Sequence, residues 1–299
     1  MKESTKRVFK VHGWRVDRAV HNYFYFIFYD LYVKVALNAT KVIVVLFSWF
    51  KPVNYVTKFI FNRYHSKVLS HGDVTKLINL NETVMLGPDT TNRIVPFKYA
   101  NKIVLREPDY LAVMDCPCKL EMKNPCQPTA ACIAVGRPIV DFWMDHCKKY
   151  NVRRITKEEA MDIIDKLRRT GHINQAFFKV ATGGSMGVIC NCCPDCCVSI
   201  RATRLAKRVK GGQDISQFVP SGYTVLRDEA KCQMCGTCVK TCGFDAVEIT
   251  DGTRTYRAEA CVGCELCVEE CEHGALTLVL EDDGGILPLD IDMAREELS

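Results

Sequence analysis

Two stretches of this chain, Cys232-Gln-Met-Cys235-Gly-Thr-Cys238-Val-Lys-Thr-Cys242 and Cys261-Val-Gly-Cys264-Glu-Leu-Cys267-Val-Glu-Glu-Cys271, repeat one another at an offset of 29 residues. The match runs past the cysteines: Val239 aligns with Val268, Ala246 with Ala275 and Ile249 with Leu278. A duplicated supersecondary unit follows. Three cysteines at steps of three wrap a tight loop around three corners of an iron–sulfur cube, and a fourth, opening a short helix, points toward a neighbouring cube. Two copies therefore cross-ligate. Cys232, Cys235 and Cys238 with Cys271 are expected around one 4Fe-4S cluster, and Cys261, Cys264 and Cys267 with Cys242 around the other. A zinc site would instead show C-x2-C pairs separated by a longer gap, leaving the third cysteine of each run unexplained.

Over residues 221–285 the sequence resembles the bacterial two-cluster ferredoxin domain. The resemblance implies a small α+β fold with pseudo-two-fold symmetry and one-electron transfer at low potential. It departs from the family pattern where proline commonly follows the fourth cysteine, since Gly243 and Glu272 stand there. Residues 223–226, 246–250, 254–257 and 275–280 read as short strands, and Asp251-Gly252 as a hairpin turn.

The whole chain has 299 residues, 48% hydrophobic and 25% charged, the composition of a folding chain of two or three domains. Its 18 cysteines fall in clusters spaced like metal ligands, so a reducing compartment is expected over a disulfide scaffold. The net charge of +5 is uneven. Residues 1–110 carry 17 Lys+Arg against 8 Asp+Glu, residues 111–220 carry 17 against 10, and residues 221–299 carry 6 against 17. The acidic carboxyl-terminal part suits docking on a basic redox partner, and the alternative is a solvated face.

Near the amino terminus, an aromatic and aliphatic stretch from Tyr23 to Phe50 is interrupted by Asp30, Lys34 and Lys41. Its longest clean run, Val42 to Phe50, is too short to span a bilayer. Two readings stand: an element lying on a membrane surface or a partner subunit, or amphipathic helices packed on the protein's own core. Pro52 is expected to break the segment. No cleavable targeting signal is evident, so a cytoplasmic protein is expected, peripheral on the inner face of the membrane if the basic arm meets anionic lipid.

Ten cysteines remain outside the repeat, nine of them in two knots. The first holds Cys116, Cys118, Cys126 and Cys132; the second holds Cys190, Cys192, Cys193, Cys196 and Cys197. Each follows an apolar run that reads as a strand ending in a loop. These nine are candidate ligands for one or two further iron–sulfur clusters, with a structural zinc or a redox-active thiol pair as alternatives. Cys147 reads as an inert buried thiol. The ordered series Cys-Pro-Cys, Gly171-His-Ile-Asn-Gln-Ala-Phe-Phe, Cys-Asn-Cys-Cys and then the repeat resembles ferredoxin-fused iron–sulfur proteins of anaerobic bacteria, which implies metal binding and no particular reaction.

Weaker signals read mostly as structure. Thr182-Gly183-Gly184-Ser-Met-Gly187 lacks the Walker lysine and reads as a turn. His172 and His146 could be ligands or proton carriers, though a lone histidine is usually structural. Thr156-Lys-Glu-Glu159 is a capping box for a helix closing near Gly171, and Ser199 to Lys210 is a basic helix read as a docking or solvated face without nucleic acid.

The expected architecture is α+β and multi-domain: a basic aromatic helical region over 1–70, a cysteine-rich α+β domain over 71–220, the two-cluster ferredoxin domain over 221–285, and an acidic tail over 286–299. The expected task is relaying single electrons between a soluble donor or redox enzyme and a partner within a larger oxidoreductase complex at the membrane. The alternative is a reductase subunit whose middle domain carries a substrate-active cluster or metal. No catalytic residue is assigned.

Overall fold

The computed structural model describes residues 1–12, 14, 16–47, 64–81, 84–86, 103–105, 107–179, 186–207, 216–281, 286 and 288–289. The chain opens with helices α1 (Glu3–His12), α2 (Val16–Ile27) and α3 (Tyr29–Phe47). Strand β1 (Tyr64–Leu69), helix α4 (His71–Ile78) and the paired strands β2 (Val84–Leu86) and β3 (Ile103–Leu105) follow. The middle runs β4 (Leu111–Asp115), α5 (Pro117–Leu120), β5 (Ala130–Val135), α6 (Arg137–His146), β6 (Arg153–Ile155), α7 (Lys157–Arg168), β7 (Ile173–Lys179), β8 (Met186–Cys192), α8 (Val198–Lys207) and β9 (Phe218–Val219). The carboxyl-terminal part holds β10 (Tyr223–Arg227), α9 (Thr237–Thr241), β11 (Val247–Thr250), β12 (Thr253–Tyr256), α10 (Leu266–Glu269) and β13 (Leu276–Leu280). Helices and strands mix as an α+β fold.

Seven strands form one sheet in the order β6-β4-β5-β8-β7-β1-β9. Every pair is antiparallel except β1 with β9. Side chains alternate between the faces of a strand, and that alternation sorts the core into two layers. Leu111, Val113, Ile133, Val135 and Ile189 face one layer, where Val74, Leu77 and Ile78 of α4 and Ala160 and Ile164 of α7 cover them. Ala112, Met114, Cys132, Ala134, Val188, Cys190 and Cys192 face the other, under Phe142 and Trp143 of α6 and the aromatic side chains of α2 and α3. Helix α7 begins as its capping box requires, with the Thr156 hydroxyl accepting from the Glu159 amide at 3.2 Å.

The amino-terminal helices pack on the protein's own core with one face. Tyr25, Phe26, Tyr29 and Val33 are buried in the same layer as the thiols, and Phe26 packs on Phe142 and Trp143 at ring-centroid distances of 5.7 and 6.2 Å. Helix α1 is tied to α6 by Ser4 donating to Asp145 and by the Arg7–Asp141 ion pair. On the outer side Val20, Phe24, Phe28, Leu31, Val35, Val42 and Leu46 are exposed, at spacings that keep them on one apolar stripe. No helix among the described residues is long and apolar enough to cross a membrane. Pro52, the Thr182 turn and nearly all of the acidic tail lie outside the described residues.

In the carboxyl-terminal unit β10 pairs with β13 and β11 with β12, so each half of the repeat contributes strand, helix, strand to a pseudo-two-fold arrangement. The duplication is written into the backbone as well. Met234, Gly236 and Asp245 have φ of 54°, 79° and 56°, and their counterparts Gly263, Glu265 and Gly274 have 62°, 71° and 57°. The Asp251-Gly252 turn closes the β11–β12 hairpin with positive φ at both residues, as a two-residue turn demands.

Removing the Phe26 ring would leave a cavity against Phe142 and Trp143. The Phe26→Ala variant is expected to lose about 3–5 kcal/mol of stability, measured as a lower denaturation midpoint, because α2 belongs to the core.

Candidate metal centres

The two halves of the carboxyl-terminal repeat interlock around two cavities. One is lined by Cys232, Cys235, Cys238 and Cys271. The other is lined by Cys242, Cys261, Cys264 and Cys267. Each thus draws three cysteines from one loop and the fourth from the other copy. Four thiols converging on one cavity match the four-cysteine ligand set of an iron–sulfur cube. Backbone amides already point at the sulfurs, Ala246 N–H to Cys242 Sγ and Gly263 N–H to Cys261 Sγ, both at 3.4 Å. Such bonds stabilise thiolates and set cluster potential. The cavities differ in setting. Cys235 is exposed at the first, whereas burial pushes the Cys264 thiol up to about 12 at the second.

The second group of cysteines is gathered by sheet register. Cys132 on β5 lies directly opposite Cys190 on β8, and alternation puts both on the same face as Cys192. The two sulfurs are 3.7 Å apart. The strand β8 runs through Cys190 and Cys192, so the loop expected after Ile189 begins only at Cys193. Cys116 precedes the short helix α5, which places Cys118 on the same cavity wall. Cys116 is hydrogen-bonded with Cys118 and Cys132, Cys132 with Cys190, and Cys192 with Cys190 and Cys197. Cys197 and Cys118 line the same cavity, which completes a set of six thiols, here called the ring. Within it, hydrogen bonds from Cys118 and then Cys132 hold Cys116 well below the usual thiol range. Hydrogen bonding to Cys116 pushes Cys118 and Cys132 up.

These six line one cavity together with Cys193, Cys196, Tyr29, Lys119, Asn191 and Phe177. Lys119 is buried, its ammonium 2.6 Å from the Pro128 carbonyl. A positive charge in the wall offsets the negative charge that several metal-bound thiolates would bring into the interior.

Cys126 stands with a different set. Its sulfur is 3.1 Å from Cys196 Sγ and 3.6 Å from His172 Nε2, and Cys126, Cys193 and His172 bring their ligand atoms within 4.8 Å of one another. Burial, helped by the Lys119 charge, pushes His172 down to about 4, so the imidazole is neutral. The other two residues singled out individually are structural. His146 meets the Thr5 hydroxyl at 2.9 Å and packs against Tyr23 and Phe142. Cys147 is buried at the end of α6, its thiol pushed up to about 12 by burial.

A chain of hydrogen bonds joins the carboxyl-terminal unit to the strands that carry the ring. The Arg168 guanidinium donates to the Cys264 carbonyl at 2.9 Å and to Asn174 Oδ1 at 2.7 Å. Asn174 donates to Asn191 at 2.6 Å, and Asn191, between Cys190 and Cys192, donates to the Ala131 carbonyl at 3.0 Å. Arg168 also pairs with the Glu269 carboxylate. Burial raises the Glu269 pKa, but the bonds from His71 and Arg168 outweigh it and hold the group below its ordinary value. Contact with Glu269 in turn raises His71. Sequence reading assigned no role to Arg168, Asn174 or Asn191, because the contact that joins a helix residue to two strand residues is not expressed in spacing.

Gly243, where the ferredoxin pattern has proline, lies against the turn between Cys193 and Cys196. A Cβ there would come within 2.6 Å of Pro194 Cγ. Arg204 Nη1 donates to the Pro194 carbonyl at 3.2 Å and its guanidinium lies over the Phe244 ring. The departure from the pattern is therefore a docking feature between the two units.

An iron–sulfur protein is what this arrangement defines. The 4Fe-4S binding domain family matches residues 255–277, which contain Cys261, Cys264, Cys267 and Cys271, so a ferredoxin-type 4Fe-4S domain lies here. The chain is similar to the archaeal-type NADPH glutamate synthase of Dehalococcoides mccartyi, 36% identical over 63 residues, which is 20% of this chain and 13% of the relative. It is equally similar to that of Thermotoga maritima, 36% over 73 residues, 24% of this chain and 14% of the relative. The chain thus spans about one seventh of the length of these curated relatives. The shared part supports an electron-transfer or oxidoreductase role.

Removing the Arg168 side chain would take a donor from Asn174 and leave His71 as the remaining partner of the Glu269 carboxylate. The Arg168→Ala variant is expected to lose about 3–5 kcal/mol, measured by denaturation, and to make the chain between the two units more sensitive to protease.

Proposed function

We propose that this protein conducts single electrons along three iron–sulfur centres in one chain. Two are 4Fe-4S clusters, one held by Cys232, Cys235, Cys238 and Cys271 and the other by Cys242, Cys261, Cys264 and Cys267. The third is a polynuclear centre in the ring of Cys116, Cys118, Cys132, Cys190, Cys192 and Cys197. The observation that carries the reading is the hydrogen-bond chain from the Cys264 carbonyl through Arg168, Asn174 and Asn191 to the strands bearing the ring. Bound clusters supply reversible one-electron chemistry; the protein supplies their order, burial and hydrogen bonding. The exposed Cys235 end is where a soluble redox partner docks, on an acidic surface that a basic partner complements. Electrons then pass to the second cavity and on to the ring.

The outer stripe of α2 and α3 faces a partner at the membrane surface. Phe24 and Leu31 are 54% and 57% exposed there, in a segment of net positive charge. A second reading, a reductase component whose six-thiol centre acts on a substrate, draws on two observations. Tyr29 and Lys119, both able to hold a proton, line that cavity, and the similar proteins are NADPH glutamate synthases. The two readings part in spectra of the ring centre taken with and without candidate substrates. A substrate-dependent change selects the reductase; its absence, with fast reduction by a partner, selects the relay.

Iron and sulfide analysis with electron paramagnetic resonance on anaerobically purified full-length protein tests the conduit. About eight irons are expected from the two ferredoxin-type clusters, with additional iron that disappears in a Cys132→Ser/Cys190→Ser variant while the ferredoxin signals persist. The same eight irons in both proteins would remove the third centre, and colourless protein would remove the proposal. For the outer stripe, flotation with vesicles containing anionic lipid is expected to carry the wild type and to leave Phe24→Glu/Leu31→Glu in solution. Equal recovery of both proteins would overturn the membrane contact.

A further inference from the structure

We infer that Cys126, Cys193, Cys196 and His172 form a separate mononuclear zinc site beside the six-thiol ring. Cys193 and Cys196 belong to the wall of the ring cavity, whereas Cys126 and His172 are not among its lining residues, and Cys126 lies within 3.6 Å of both His172 and Cys196. Two ligands on one tetrahedral zinc, with Zn–S about 2.3 Å and Zn–N about 2.0–2.1 Å, stand roughly 3.5–3.8 Å apart. The Cys126 Sγ to His172 Nε2 distance of 3.6 Å falls in that range, and the Cys126 to Cys196 distance of 3.1 Å reaches it after a small outward movement. A cubane cluster spreads its four ligand sulfurs over four irons and needs a cavity of its own, as the carboxyl-terminal sets have.

The histidine is prepared for a metal by its neighbours. Thr170 Oγ1 donates its proton to the Leu167 carbonyl at 2.8 Å and lies 3.0 Å from His172 Nδ1. With its proton already committed, that oxygen accepts from Nδ1–H, which leaves the lone pair on Nε2, the nitrogen facing Cys126. Fixing the tautomer through the far ring nitrogen is how metal-binding histidines are oriented. The two cysteines of the turn are prepared in the same way. Cys193-Pro194-Asp195-Cys196 is a C-x2-C knuckle in which the Cys196 amide bonds back to the Cys193 carbonyl at 3.2 Å and the Asp195 amide points at Cys193 Sγ at 3.4 Å. Three thiolates and one imidazole are a known structural zinc set, closed to substrate.

Such an ion would do structural work. Pro194 of the knuckle is the residue that Gly243 accommodates, so the site fixes the surface on which the carboxyl-terminal unit docks.

Zinc analysis and zinc-edge X-ray absorption on full-length, anaerobically purified protein test this independently of the clusters, whose iron is counted on the same sample. One zinc per chain is expected, with three sulfur ligands and one nitrogen. A His172→Cys variant is expected to keep its zinc with four sulfurs and unchanged iron, and a Cys126→Ala/His172→Ala variant to lose it. Absence of zinc from the wild type, or zinc ringed by four sulfurs there, would overturn the assignment even if the iron count is as proposed above.

Discussion

Register across the central sheet is the constraint on which the middle of this protein rests. A strand offers its side chains alternately to two faces, and a slip of one residue exchanges them. With Cys132 opposite Cys190 and Met114 opposite Cys132, the thiols stay on one face and the aliphatic side chains Val113, Ile133 and Ile189 on the other. The same alternation therefore builds an ordinary hydrophobic layer and a thiol-lined wall from one set of strands. Helices α2 and α3 complete that wall from outside, since Tyr29 lines the ring cavity while Phe28, next in the chain, is exposed.

The joint between the two cysteine-rich units is built from groups that are costly to leave unpaired. Arg168 is almost wholly buried and engages a carboxylate, an amide oxygen and a backbone carbonyl at once. Buried charge of this kind persists only where every donor finds a partner, and it loses most when one partner goes. His71 adds a contact that weakens with alkali. Its pKa is raised by Glu269, so its contribution is complete below the ordinary value of 6.5 and fades as pH climbs through the raised one. Glu269 contributes in the opposite sense, fully above its ordinary 4.5 and less as pH falls through its lowered value.

The carboxyl-terminal unit was largely legible in the sequence, because its chemistry is local: ligands three residues apart on a loop declare themselves, and the Asp251-Gly252 turn is a two-residue signal. The middle unit was legible only as residue types. Cys132, Cys190 and Cys192 come together through pairing between β5 and β8, a relation of residues some sixty apart that spacing cannot express. The knuckle at Cys193 and Cys196 was present as C-x2-C but was obscured by Cys192 and Cys197 on either side. The aromatic segment near the amino terminus was legible as amphipathic, but the contact of Phe26 with Phe142 and Trp143 joins residues more than a hundred apart, which spacing cannot express. The absence of proline at Gly243 was visible, while its reason, the Pro194 ring, lies about fifty residues away.

That small vacancy at position 243 bears on heredity. A ferredoxin unit borrowed from elsewhere with the family's proline would collide with Pro194 and would need a glutamate placed to meet Arg168. The two halves of this chain are consequently not interchangeable cassettes, and lineages that shuffle such modules freely would have to alter both sides of the seam together.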